Sequence, residues 1–122
     1  AAQLSALFQT QAMEKWYRIE TLGCVPDSGA WKNKIDGKAA VSHFSRLSFD
    51  AQTNISVVDV RIEHGRKHQI RRHFSAAGFP VLGDPRYGEG NADERGMQLL
   101  AYRLVFTCPI TKAVRDIRVQ GF

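Results

Sequence analysis

Apolar and polar positions along this chain alternate with a period of two in several runs and with a period near 3.6 in two others. The clearest alternation is at residues 55–63, where Val58, Val60 and Ile62 share one side and Asp59, Arg61 and Glu63 the other, as in a half-buried strand. Residues 16–22 repeat it with Tyr17, Ile19 and Thr21, and Gly23 marks the end. Over residues 40–49 the apolar positions Val41, Leu47 and Phe49 predict a strand, but Phe44 is out of phase, which predicts a bulge or burial on both sides. Residues 98–106 and 114–119 predict two more strands, joined around residues 109–112.

The helical spacing appears first at residues 2–11, with Leu4, Leu7 and Phe8 on one face. It appears again at residues 67–77, where Ile70, Phe74 and Ala77 form a core face while His68, Arg71 and Ser75 project elsewhere. Gly65 is placed to take a positive φ between strand and helix, and Gly78 followed by Pro80 stops the helix. The polar turn at residues 50–54 joins two strands into an antiparallel hairpin. Residues 26–38 read as an irregular loop anchored by Trp31, and residues 83–91 as a surface loop. The fold class predicted is α+β, a mainly antiparallel mixed sheet with packed helices.

Length and composition narrow the function. At 122 residues the chain is one ordinary domain or a piece of a larger one, and 43% hydrophobic residues suffice for a core. No apolar run reaches the roughly 20 residues of a membrane-spanning helix. Cys24 and Cys108, the only cysteines, are too few for a disulfide framework or a thiolate zinc site and fit a reducing, cytoplasmic setting. Seventeen Lys and Arg against twelve Asp and Glu favour an anionic partner, of which nucleic acid is the commonest.

The charge is concentrated. Between residues 61 and 73 lie Arg61, Arg66, Lys67, Arg71 and Arg72 against Glu63 alone, together with His64, His68 and His73. A metal site is not expected from these histidines, because Gly65 separates the first two, His73 points away from His68 on a helix, and no Cys or carboxylate stands at ligand spacing. No Ser-His-Asp or Cys-His arrangement is legible either.

The string Gly65-Arg66-Lys67-His68-Gln69-Ile70-Arg71-Arg72-His73, continued by Gly78-Phe79-Pro80-Val81-Leu82-Gly83-Asp84-Pro85-Arg86-Tyr87-Gly88, resembles the G-R-x-H-Q-(I/L)-R-x-H and G-x-P-(I/V)-x-G-D-x-x-Y-G signature of RluA-type pseudouridine synthases. The resemblance implies a pseudouridine-synthase fold and isomerisation of uridine to pseudouridine in ribosomal or transfer RNA, without cofactor or metal. It makes Arg71 the partner of the catalytic aspartate, a task suited to a planar guanidinium that keeps its charge. Tyr17, in Lys15-Trp16-Tyr17, matches the K-x-Y tyrosine that lies against the target uridine, and Leu99 matches the apolar wall residue of L-H-A-x-x-L-x-F, with Leu100 where the family usually shows His. Arg66, Lys67, His68, Gln69 and Arg72 are then expected to contact RNA.

The family's R-L-D-x-x-T-S-G motif, which carries the nucleophilic aspartate upstream of K-x-Y, has no counterpart here, since Asp27, Asp36, Asp50, Asp59, Asp84, Asp93 and Asp116 all follow Tyr17. Residues 1–122 are therefore expected to be the C-terminal portion of a catalytic domain, inactive alone. The competing expectation is a non-catalytic, basic RNA-binding module.

Overall fold

The computed structural model describes residues 13–63, 65–88, 93, 95–107 and 114–118. The helix predicted at residues 2–11 and the connection at 109–112 lie outside the described residues. Six strands, β1 (Met13–Leu22), β2 (Ser28–Trp31), β3 (Val41–Asp50), β4 (Ile55–Glu63), β5 (Leu99–Thr107) and β6 (Val114–Arg118), form one sheet in the order β2-β3-β4-β1-β5-β6. Every pairing between described strands is antiparallel. One helix, α1 (Gln69–Ala76), packs on the sheet, and no described helix is long and apolar enough to cross a membrane.

The alternation in β4 places Ser56, Val58, Val60 and Ile62 in the interior, facing Thr21, Ile19 and Tyr17 of β1 across the ladder. Strand β3 corrects the expected phase. Ser42 and Phe44 are its buried residues, and Leu47 sits 51% exposed at a bulge between Arg46 and Ser48. Leu47 is itself the inserted residue and is turned outward, so the run of Val41, Leu47 and Phe49 is not the core face. Residues 26–38 are also more ordered than a loop, because Ser28–Trp31 pairs with β3 as an edge strand. Trp31 anchors it, stacked on Phe44 at 4.6 Å between ring centroids and edge-on to Phe74 at 6.0 Å.

Helix α1 ends as expected. Gly78 has φ 91°, its N–H donates to the Ser75 carbonyl at 3.0 Å and that of Phe79 to the Phe74 carbonyl at 2.8 Å, the paired bonds of a Schellman motif. The chain then runs beside β1, with Leu22 N–H bonded to the Pro80 carbonyl and Leu82 N–H to that of Glu20. A second bulge occurs where β1 meets β5. Trp16 pairs with Arg103 but Tyr17 with Ala101, so Tyr102 is the extra residue.

Gly83 is required twice over. Its φ is 79°, and a Cβ there would lie 2.3 Å from the Gly96 carbonyl oxygen, a backbone atom that cannot swing aside. Gly83→Ala is expected to lower the unfolding free energy by about 3 kcal/mol, whereas Gly78→Ala, with nothing within 4 Å, should lose only the left-handed penalty of about 1 kcal/mol. Urea titrations of the two variants test this, and equal losses would mean that the contact with Gly96 carries no weight.

Candidate active site

Between β4 and α1 the chain makes an unusual turn. The positive φ expected at Gly65 falls instead on His68, the residue before the helix, at φ 54° and ψ 34°. Histidine adopts this region more readily than branched residues do. The conformation is held on both sides: the His68 carbonyl accepts the Arg72 N–H at 2.9 Å, and its ring Nδ1 lies 3.0 Å from the Tyr87 hydroxyl. Burial and then the charges of Arg71, Lys67, Arg86 and Arg72 hold the His68 pKa below its usual value, so the imidazole is neutral near pH 7.

Gln69 is buried, and the protein engages both ends of its amide. Oε1 accepts the Arg66 N–H at 3.0 Å, while Nε2 donates to the Val41 carbonyl at 2.8 Å, the Glu63 carbonyl at 3.1 Å and Ser42 Oγ at 3.2 Å. An amide so engaged acts as a strut fixing α1 to β3 and β4. His73, 1% exposed, extends the same network. Its Nε2 lies 2.7 Å from the Asn33 carbonyl, an oxygen that only accepts, so Nε2 carries the proton and Nδ1 accepts from Ser42 Oγ at 2.8 Å.

Arg71 projects from the exposed side of α1 onto Asp84. Nε and Nη2 donate to the two carboxylate oxygens, each at 2.9 Å, and the guanidinium lies over the Tyr87 ring at 5.1 Å. Asp84 has no exposed side-chain surface, and its Oδ1 also accepts the N–H groups of Arg86 and Tyr87 at 3.0 Å. Burial alone would raise the Asp84 pKa, but the Arg71 hydrogen bonds and the two amides outweigh it and bring it down to about 2. Among the described residues nothing accepts from Arg71 Nη1, which leaves that end of the fork available.

Tyr17 from β1, Leu99 from β5, Ile62 from β4, Arg66 and His68 from the turn before α1, Gln69, Ile70 and Arg71 from its start, and Met97 line one open cavity of about 260 Å³. Three stretches far apart in sequence thus meet. Burial raises the Tyr17 pKa and keeps its phenol neutral. No carboxylate is among the described residues lining the cavity. Lys67 and Arg72 are not among them either. Lys67 is exposed, and Arg72 is paired through Nη2 and Nη1 with Asp36 at 3.0 and 3.2 Å. Among the described residues no group of three or more His, Cys, Asp or Glu side chains could hold a metal ion.

Sequence reasoning did not assign Asp84 and Tyr87. Their signal was present in the Asp-Pro-Arg-Tyr spacing, which lets an aspartate accept the two following amides in a turn. Ile62, Ile70 and Met97 had no signal beyond being apolar.

The sequence model of a family described as RNA pseudouridylate synthase matches residues 1–76. The chain is 37% identical over 75 residues to the uncharacterized RNA pseudouridine synthase YhcT of Bacillus subtilis (strain 168), an alignment covering 62% of this chain and 25% of that protein. It is 34% identical over 101 residues to ribosomal large subunit pseudouridine synthase D of Pseudomonas aeruginosa, covering 70% and 31%. The chain spans less than a third of either relative. In three dimensions it is similar to Human RNA Pseudouridylate Synthase Domain Containing 1, with a TM-score of 0.82 over 98% of this chain and 59% of the other, at 22% identity, which is a likeness of fold.

Proposed function

This chain belongs to the RNA pseudouridylate synthase family, and we propose that residues 1–122 form the C-terminal, base-holding portion of a catalytic domain that converts uridine to pseudouridine in ribosomal or transfer RNA. The observation that carries the reading is the convergence of Tyr17, Leu99 and Arg71 on one cavity. Its volume lies just below the range of about 300–1,000 Å³ usual for ligand pockets, which suits one small ring rather than an extended ligand. Ile62, Ile70 and Leu99 offer apolar walls, Tyr17 a face for stacking on an extruded base, and Arg71 a fixed positive charge at the edge.

The missing component is a carboxylate. Asp84 is the aspartate beside Arg71, yet it is buried and both its oxygens are occupied, so it cannot attack a nucleoside. In this proposal the nucleophilic aspartate comes from a segment beyond this sequence and meets Arg71 at the Nη1 end, opposite Asp84. Arg71 keeps the aspartate ionised and aimed, and Tyr17 and Leu99 hold the base through breakage of the glycosidic bond, rotation and reattachment through carbon. Gln69 serves as the strut that positions Arg66 and the helix start.

Uridine-containing RNA treated with the 122-residue chain, then digested to nucleosides, is expected to contain no pseudouridine above background, whereas a longer protein that includes an R-L-D segment forms it. Pseudouridine made by the chain alone would overturn the need for an outside carboxylate. A longer protein that binds RNA but forms none would favour the non-catalytic module.

A further inference from the structure

We propose that the turn at residues 35–38, with the lysines on and beside it, forms an RNA-backbone-binding surface next to the cavity, separate from the residues that hold the base. The inference rests on the RNA reading above. Asp36 and Gly37 have successive positive φ values of 52° and 75°, and Ile35 and Lys38 exchange both backbone hydrogen bonds at 3.0 Å, which describes a tight two-residue turn of the I′ kind. Ile35 is 3% exposed and roots it in the protein. A turn so closed presents its side chains in fixed positions.

The start of α1 clamps this segment. Arg72 forks onto the Asp36 carboxylate, His73 Nε2 donates to the Asn33 carbonyl, and Arg66 Nε donates to the Ala39 carbonyl at 2.8 Å. Arg72 and Asp36 therefore neutralise each other, and Arg72 acts as the clamp rather than as a free phosphate contact. The uncompensated charge passes to the lysines it holds in place. Lys32, Lys34 and Lys38 are exposed, as is Lys67, and Lys38 and Lys67 both lie close enough to Asp36 to help Arg72 draw its pKa down. Residues 32–38 and 66–72 together carry seven cations against Asp36 alone, in a chain whose formal net charge is +5.

The surface is continuous with the site, because Arg66 lines the cavity and also contacts Ala39 at the end of the turn segment. A nucleotide seated in the cavity brings its neighbouring phosphates within reach of lysines. Compact ammonium groups without an exposed aromatic or apolar partner suit phosphates, which set affinity and orientation without reading sequence. The exposed lysines and the rigid turn favour an RNA strand over an apolar protein partner.

The test is fluorescence anisotropy of a labelled single-stranded oligouridine 12-mer with the 122-residue chain, across a salt series. Replacing Lys32, Lys34 and Lys38 together by Glu is expected to weaken binding more than tenfold and to reduce the slope of log affinity against log salt by about 2, at roughly 0.7 per phosphate contact. Replacing all three by Gln should give a smaller loss in the same direction with an unchanged melting temperature. Arg72→Ala should weaken binding by loosening the turn, although Arg72 itself touches no phosphate. If both lysine variants bind with wild-type affinity and slope, this surface is refuted while RNA binding stands. If the wild-type chain shows no binding at low salt, both this inference and the RNA reading fall.

Discussion

Arg71→Lys in the longer protein is expected to lower the single-turnover rate constant about a hundredfold while RNA affinity stays within about twofold. The side chain is a two-ended fork, with Nε and Nη2 engaged by Asp84 at 2.9 Å and Nη1 left, in the proposal above, for the incoming carboxylate. Lysine has one nitrogen at the end of a flexible stem. It can approach Asp84 or the incoming carboxylate, but it cannot hold one against the other in a plane, and a reacting group displaced by about 1 Å can lose a hundredfold in rate. Saturating enzyme in single-turnover kinetics removes the binding contribution. A rate constant near wild type would mean that Arg71 is an ordinary phosphate contact and that the centre of the site lies elsewhere.

Asp84→Asn should destabilise the chain by about 3 kcal/mol at pH 7, the lower end of what breaking a buried ion pair costs, because Arg71 retains 14% exposure and recovers some hydration. Asparagine keeps an oxygen for the Arg86 and Tyr87 amides, so the turn survives and the charge is what is lost. The pH dependence follows from the depressed pKa. Asp84 titrates near 3.8 unfolded and at about 2 folded, so its contribution is complete above 3.8 and disappears as pH falls toward 2. The part of the gap that comes from this shift, on the order of 2 kcal/mol, should therefore disappear over that window, and the gap should be flat above it. Urea titrations at pH 7, 4 and 2.5 measure it, and a gap unchanged at the lowest pH would show that the ion pair is not its source.

Residue order alone singles out Arg71, Tyr17 and Leu99, which belong to short spaced strings and line one cavity in the fold, and the helix stop at Gly78 follows from a single residue type. What escaped depends on partners distant in sequence. Arg72 reads as a free cation until Asp36, 36 positions away, is folded against it. Gln69 reads as a polar surface residue until two backbone carbonyls and a serine close around its amide. The phase of β3 was misjudged because hydrophobicity cannot say which side of a bulge is buried, and Leu47 lies on the exposed side. The positive φ went to His68 rather than Gly65 because contacts to Tyr87 and Arg72 outweigh the intrinsic preference of glycine.

The extra residue opposite Trp16 and Tyr17 acts as a parity switch for the cavity wall. Leu99 and Leu100 are chemically interchangeable neighbours, yet Leu99 stands across from Ile19 on the cavity side and Leu100 across from Arg18, half exposed on the reverse. Counted without Tyr102 as an insertion, the ladder would set Leu100 against Ile19 and turn Leu99 away. Neither side chain can express a preference between the two arrangements. The choice of which leucine faces the cavity is thus made three positions away: with Tyr102 held out of the ladder as an insertion it is Leu99, and the same residues paired without a bulge would present Leu100 instead.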